Sequence, residues 1–535
     1  MKTLLLGVAT VAGFATLASK SGIDVSHGAA AGAAIFVVST LLFKILRAMI
    51  YPYWFSPLRN VPTPGGGHFL LGHGLKLLLA EGPFDYFRQW NRQWPEAPFI
   101  RYFSFGNSEI LIPNNLEAIR AIMHTHAYVF DKSPELKSYL KEFMGGGILF
   151  AMGEQHKRLR KVLAGPIARP NVRKLLDVFQ NGANNLAAKV DRAIYGPENG
   201  VLEVETTFSQ CILDVIGIAI IGKELNSFRS RAAGLSYEDC YRTFIYPSTL
   251  GKFIMFFNAL IPLRWIPIEE NRKYFEANNE MRSLVSELIR ERTAEIMAAE
   301  KTGTRDGRTD MLTKMIQANI SENCKITDKE LMDTVCQLIM AGHETTSGVL
   351  SWATREFVQR PDMVARLRQE IAQAQEIQPE LDAVTIENLP YLNNVIREIL
   401  RLYTPTIVLH WEPIEDLVIS DVRIPKGTPT HIVPSMIHQN KLIWGEDCDN
   451  FDPDRWERLN EASGNVFAFE AFINGPRICP GLPLAMLEMK VFIISLVTNF
   501  DFELADTVVT FDHPTLSLKA KGGLNIRFRR RLQQQ

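Results

Sequence analysis

The stretch that most constrains the fold of this chain is Phe472-Ile473-Asn474-Gly475-Pro476-Arg477-Ile478-Cys479-Pro480-Gly481, with the unbroken apolar run Leu482 to Asn499 behind it. Cysteine is ordinarily a core residue. Here one stands in a short loop bracketed by Gly475 and Gly481 and stiffened by Pro476. A loop of this kind lets backbone N–H groups point at a sulfur and hold it as a thiolate. The positive end of the helix expected from Leu482 adds to the same effect. The plain alternative is an inert, buried cysteine in a bulge before a helix.

A thiolate held in this way suits axial ligation of haem iron, where it pushes electron density toward O–O cleavage. The loop resembles the haem-binding loop of the cytochromes P-450, Phe-x-x-Gly-x-Arg-x-Cys-x-Gly. Phe472, Gly475, Arg477, Cys479 and Gly481 fill every fixed position. Ile473 is bulkier than the small or polar residue usual there, a departure taken as minor. The resemblance makes Cys479 the haem iron ligand, with Arg477 and Gly481 beside the cofactor, expected to be haem b.

Four further stretches follow the family's order. Gly153 to Lys161 reads as a basic helix start, with His156 and Arg160 four apart on one face. The family usually carries Trp and Arg there, both on a haem propionate. His156 replaces the Trp, as in fungal members, and an imidazole N–H can still donate to a carboxylate. The alternative is a solvated basic face.

Thr327-Asp328-Lys329-Glu330 is a capping box that opens a long helix, Leu331 to Val358, free of proline. At its centre lies Ala341-Gly342-His343-Glu344-Thr345-Thr346. Small Ala341 and Gly342 leave room for a flat ligand and for a local break in the helix. An acid beside a hydroxyl, Glu344 and Thr345, suits proton delivery to bound oxygen. The zinc motif HExxH fails because Ser347 stands where the second His belongs. By resemblance Glu344 and Thr345 are the family's acid and relay threonine.

Glu398 and Arg401 form an ExxR pair, and Phe451 to Trp456 supplies Arg455. ExxR alone is common. In the family these three residues form a buried charge network that locks the segment before the cysteine loop. One position departs from the pattern. Many members carry a propionate-binding Arg five residues before the acid that here is Asp416, and this chain has Trp411 there. His410 is the nearest substitute.

Composition excludes little. Net charge is −1, hydrophobic residues make up 46% and charged residues 22%, so no basic excess points to nucleic acid. The C-terminal Arg527 to Arg531 run reads as a solvated tail. The six cysteines show no CxxC and no regular spacing, which leaves a zinc ribbon or disulfide framework unsupported and favours a reduced, cytosol-facing environment.

Two apolar segments open the chain. Thr3 to Ser19 is short and ends near Thr16-Leu17-Ala18, which is like a cleavage site. Gly28 to Ile50 is long enough to span a bilayer, with Lys44, Arg47 and Arg59 at or just after its end. A two-helix hairpin, one anchor with an interfacial helix, and a cleaved signal all fit. An uncleaved endoplasmic-reticulum anchor over residues 1–50, with the remainder in the cytosol, is the expectation. Pro52, Pro57, Pro62 and Pro64 before Gly65 to Gly67 predict a stiff hinge over 51–72 rather than a helix. Residues 73–535 are then the catalytic domain.

Phe99–Tyr102, Glu109–Ile112, Leu417–Ile419 and Thr430–Val433 read as strands, and 172–315 as mostly helix without recognisable chemistry. Gly145 to Gly147 lacks dinucleotide-fingerprint spacing. The fold expected is mainly α with a small β region, the P-450 fold with an N-terminal membrane anchor.

The resemblance implies monooxygenation of an apolar small molecule with O₂ and NADPH-derived electrons. Too little chain follows Cys479 for a fused flavin reductase, so the electrons are expected from NADPH–cytochrome reductase, docked on the basic side near His156 to Lys161, with cytochrome b5 as a second donor. Specialised metabolism is the expected setting. Fatty-acid or xenobiotic hydroxylation, a peroxide-driven or isomerising enzyme, and a haem binder without turnover are the alternatives.

Overall fold

The structure, a computed structural model, describes residues 25–225, 236–245, 247–258, 262–303, 307–321, 325–505, 509–512 and 517–531, together with Ala12 and Thr16. The apolar segment Thr3–Ser19 lies almost wholly outside the described residues.

Helix α1, Val25–Trp54, is apolar and unpacked. An 18-residue window within Ala29–Trp54 has mean hydropathy 2.1, and only 6% of that window is buried. The expected hinge does not begin at Tyr51, because the helix runs on through Pro52. Proline removes the N–H that would bond the carbonyl four residues back, here Ala48. The Asn107 side chain replaces that donor, bonding Ala48 O at 3.2 Å and Phe69 O at 2.7 Å. Arg101 donates to Pro52 O at 2.9 Å and pairs with Glu109 at 2.8 Å, and Ser56 bonds the same carboxylate at 2.7 Å. The proline therefore sits in a helix whose lost bond is made good from outside, and the irregular connector starts at Phe55.

The body is mostly helical. The helices that place the site are α2, Gly153–Ala164; α3, Leu176–Tyr195; α4, Val204–Ile221; α5, Glu269–Lys301; α6, Asp328–Gln359; α7, Pro390–Leu402; and α8, Leu482–Asn499. α4 and α8 are apolar enough to cross a membrane, but more than half of each is buried inside the protein. An apolar helix covered on most sides is a core helix. Phe179, Phe208, Ile216, Leu350, Phe492 and Leu496 belong to the core these helices share.

α6 begins at the expected capping box, with Thr327 accepting from Glu330 N and the Glu330 side chain returning to the Thr327 backbone. It is continuous through Ala341–Thr345, so the local break does not occur. Gly342 has a packing reason to be small: a Cβ there would stand 3.1 Å from Ile216 Cδ1, so the glycine lets α6 cross α4 closely.

The strands are β1, Phe99–Phe103; β2, Glu109–Pro113; β3, Phe130–Lys132; β4, Val201–Glu203; β5, Leu409–Pro413; β6, Leu417–Ile419; β7, Val422–Ile424; β8, Thr430–Ile432; β9, Phe500–Leu504; and β10, Asn525–Arg530. One sheet has the order β1-β2-β8-β5-β3, a second β4-β10-β9, and β6 pairs with β7. The antiparallel β3–β5 pair sets Lys132 directly opposite Trp411. The arginine run at the C-terminus is not a solvated tail. Ile526 and Phe528 are buried, and Arg529 and Arg530 turn outward to Glu503 and Asp191.

Candidate active site

The cysteine loop is held by backbone geometry. Gly475 has φ +73°, and a Cβ there would approach Met123 O to 2.2 Å, so only glycine fits. Ile473 also lies in the left-handed region, at φ 58°. For a β-branched residue that costs about 1–2 kcal/mol, so this departure from the family pattern is not minor. Its side chain packs on the core formed around Ile122, Trp411 and Trp444.

Cys479 N donates to Phe472 O at 2.8 Å. Burial pushes the Cys479 thiol up, while the backbone N–H groups of Gly481 and Leu482 and the charge of Arg160 act toward the thiolate. A Cβ on Gly481 would stand 3.8 Å from Sγ, an ordinary contact, so nothing in the protein itself forbids a side chain there.

Four nitrogen-bearing side chains gather beside this loop. Arg477 donates to Ala127 O at 3.2 Å and Phe130 O at 3.4 Å and touches Met152 Sδ at 2.7 Å. α2 sends His156 and Arg160 inward, and His156 Nδ1 meets the Tyr128 hydroxyl at 3.1 Å. Burial, with Arg477 and Arg160 adding to it, brings the His156 imidazole down to about 4, so it is neutral at pH 7.

The fourth is Lys132, only 5% exposed, with its Nζ 3.6 Å from the centre of the Trp411 ring. Arg477 stands over the same ring at 4.9 Å. Burial, then Arg477, brings the Lys132 amine down to about 7. Among the described residues no carboxylate lies within ion-pair distance of Lys132, Arg160 or Arg477, and Asp131 is turned to Lys137. Buried cations without counter-ions are costly unless an anion joins them.

His410 belongs to a separate chain of rings. Its Nδ1 meets His431 Nε2 at 3.0 Å, and His431 Nδ1 meets the Tyr102 hydroxyl at 2.8 Å. The rest of the basic run is not a free basic face either: Lys157 pairs with Glu154, and Arg158 bonds Lys325 O and Glu330.

On α6, Ala341 is exposed and Thr345 Oγ donates to Ala341 O at 2.7 Å. Glu344 is already engaged, by Lys519 at 3.0 Å, Ser517 at 2.9 Å and the Tyr241 hydroxyl. Burial pushes its carboxyl up, but Lys519, Tyr241 and His343 outweigh burial and hold it below the usual range.

Behind the loop, Glu398 and Arg401 on α7 are wholly buried and Arg455 is 5% exposed. Arg401 makes two bonds to Glu398, at 2.9 and 2.7 Å. Its other three N–H groups reach the carbonyls of His438, Cys448 and Asn450. Arg455 approaches Glu398 at 3.5 Å and pairs with Asp447 at 3.1 Å, while Asp452 N and Trp456 Nε1 also donate to Glu398.

Sequence reasoning missed His438, which joins this network to the loop segment. Its Nε2 accepts from Glu470 N at 2.8 Å, and its Nδ1 lies 2.9 Å from Arg401 O. A donor is needed at Nδ1 and an acceptor at Nε2, so the ring must be neutral. Burial and the charge of Arg401 bring its pKa down to about 3. A histidine whose folded pKa is depressed gives stability present above its unfolded value of about 6.5 and lost as pH falls toward 3. Between pH 7 and 5 the loss is expected to be roughly 2 kcal/mol. Denaturant titrations at both pH values should show this drop in the wild type and a flatter dependence in His438→Gln. Equal slopes would remove His438 as the source.

The sequence is similar to known proteins. The sequence model of the family described as Cytochrome P-450 matches residues 62–526. The cytochrome P-450 monooxygenase sphH of Aspergillus fumigatus is 29% identical over 484 residues, covering 87% of this chain and 86% of the relative. The cytochrome P-450 monooxygenase 205 of Postia placenta is 30% identical over 501 residues, covering 88% and 91%. The cytochrome P-450 monooxygenase FSL4 of Gibberella zeae is 28% identical over 518 residues, covering 90% of each. The chain belongs to the cytochrome P-450 family and is a haem-thiolate monooxygenase of the fungal type. Such an enzyme needs a redox partner, a substrate and O₂. The residues present fit the cofactor: a half-buried cysteine faced by two N–H groups, and a cationic group beside it with no anion among the described residues.

Proposed function

We propose that this protein oxidises an apolar small molecule of specialised metabolism, using O₂ and electrons from NADPH–cytochrome reductase, with cytochrome b5 as a second donor. It does so from the cytosolic face of the endoplasmic reticulum, with 1–50 as anchor and 73–535 as catalytic domain. The observation that carries the chemistry is Cys479, half-buried and faced by the N–H groups of Gly481 and Leu482, beside a cationic group with no counter-ion among the described residues. The apolar, unpacked α1 supports the membrane reading.

Bound haem b would supply O₂ activation. The chain's own residues would do the rest. Cys479 would ligate the iron. His156, through the ring nitrogen not facing Tyr128, would donate to a propionate, and Arg160 and Arg477 would neutralise the propionate charges. Lys132 would take the place of the Arg absent at Trp411, whose indole serves as the platform on which Lys132 and Arg477 are both set. Ala341 would leave room for the ring. Glu344 and Thr345 would carry protons, with Lys519 and Ser517 fixing where the Glu344 carboxylate waits. Glu398, Arg401 and Arg455 would hold the loop's foundation.

The decisive experiment supplies reductase, NADPH and ¹⁸O₂ to the full chain in vesicles with a panel of apolar terpenoids, polyketides and fatty acids. NADPH-dependent incorporation of one labelled oxygen is expected. Turnover with peroxide alone, or rearrangement without label, would overturn the reading.

The role of Lys132 has its own readout. Lys132→Met keeps the aliphatic stem over Trp411 and removes the charge. Haem transfer to apomyoglobin is expected to speed up roughly 10- to 100-fold, the equivalent of the ~1.5–3 kcal/mol of a hydrogen bond to a charged group. Lys132→Arg should restore slow transfer. An unchanged rate in Lys132→Met would assign the propionates to the other donors alone.

A further inference from the structure

One cavity is lined by none of the residues placed at the cysteine-loop site. It lies between the C-terminal end of α1, the tip of the β1–β2 hairpin and the turn Pro425–Pro429, and its volume is about 390 Å³. That is within the range of small-ligand sites.

α1 contributes Lys44, Arg47, Ala48 and Tyr51, the i, i+3, i+4, i+7 spacing of one helical stripe. The helix's other exposed residues near this level, among them Leu42 and Phe43, are apolar. One face of an otherwise lipid-like helix is thus basic and turned toward the domain. A third cation, Lys426, comes from the turn, hundreds of residues away in sequence.

Positive charge at the end of a spanning helix is ordinary, but Lys426 is no part of that helix. Among the described residues none of the three cations has an ion-pair partner, since the one lining acid with a close cation, Glu109, is paired to Arg101. Asn107 holds the cavity's wall together. Its Nδ2 is used on Ala48 O and Phe69 O, while its buried Oδ1 has no donor.

We propose that this cavity binds a phosphate-ester anion, namely the headgroup of an anionic membrane lipid. Lys44, Arg47 and Lys426 surround the phosphate. The cavity's position at the end of α1 puts it at headgroup depth, so the proposal rests on reading α1 as embedded in a bilayer.

The test uses the full chain, purified in mild detergent and equilibrated with equal amounts of phosphatidylserine and phosphatidylcholine. Retained lipid is then counted by native mass spectrometry. The wild type is expected to keep one phosphatidylserine with several-fold preference. Lys426→Glu and Arg47→Gln should lose the preference, while Lys301→Glu, outside the cavity, should keep it.

The reduced carbon-monoxide spectrum of each variant checks that the fold is intact. No preference in the wild type, or an equal preference in Lys426→Glu, overturns the site. A parallel arm adds millimolar inorganic phosphate. Full displacement of the lipid identifies free phosphate as the source of the same anion, and persistence identifies the headgroup. Alkaline carbonate extraction of membranes reads the anchor separately. Release of the protein would refute the embedding of α1, whereas retention without lipid preference would refute the cavity's role alone.

Discussion

Cys479→Ser is expected to lose the long-wavelength Soret band of the reduced carbon-monoxide complex and to reduce NADPH-supported turnover to background. A serine hydroxyl is a far weaker donor than a thiolate, and it cannot push electron density toward the iron in the same way. The loop should survive the change. Gly475 against Met123 O and the Cys479 N bond to Phe472 O are backbone features that serine keeps. The variant therefore separates ligation from folding. A retained thiolate-type band in Cys479→Ser would mean that another residue binds the iron. Cys240, Cys336 and Cys448 are poor candidates, because each is buried in the packed interior and burial pushes each of these thiols up.

The second large effect is expected at Glu398. Glu398→Ala removes the acceptor of two Arg401 bonds and leaves Arg455, Asp452 N and Trp456 Nε1 without the group they face. Breaking a buried pair by removing one partner costs about 3–5 kcal/mol, against about 5–15 kcal/mol of total stability for a folded protein. Most of the chain should fail to incorporate haem, and what folds should unfold at much lower denaturant. Arg401→Lys should be nearly as damaging, because all five guanidinium N–H groups are in use and an ammonium has three donors. Denaturant midpoints within about 0.5 kcal/mol of wild type, the usual range for a surface substitution, would show that the network is dispensable.

Some parts of this structure were readable because their cause is local. The capping box at Thr327 and Glu330, the helix Leu482–Asn499 and the strand Leu417–Ile419 lie where sequence pattern put them. The motif positions around Cys479 were legible for the same reason. Lys132 was not, because its importance arises from the pairing of β3 with β5 across a long stretch of chain. The signal that could have found it was negative: a missing Arg at Trp411 calls for a cation from elsewhere.

His438 was hidden likewise, as its partners Arg401 and Glu470 come from separate segments. Pro52 misled in the opposite direction. A helix breaker was read correctly as a missing N–H, but Asn107, which supplies a substitute, is invisible to any local window. Gly342 was assigned to ligand room when its neighbour is Ile216.

The repaired joint at Pro52 has a mechanical consequence. A domain on a slack tether would tumble freely above a bilayer. Here the helix end is fastened to the β1–β2 hairpin by Asn107, Arg101 and Ser56. The tilt of α1 is then passed to the whole body as through a lever. With α1 in a bilayer, as proposed, the flank of the body turned to the lipid would be a property of the joint rather than of chance reorientation.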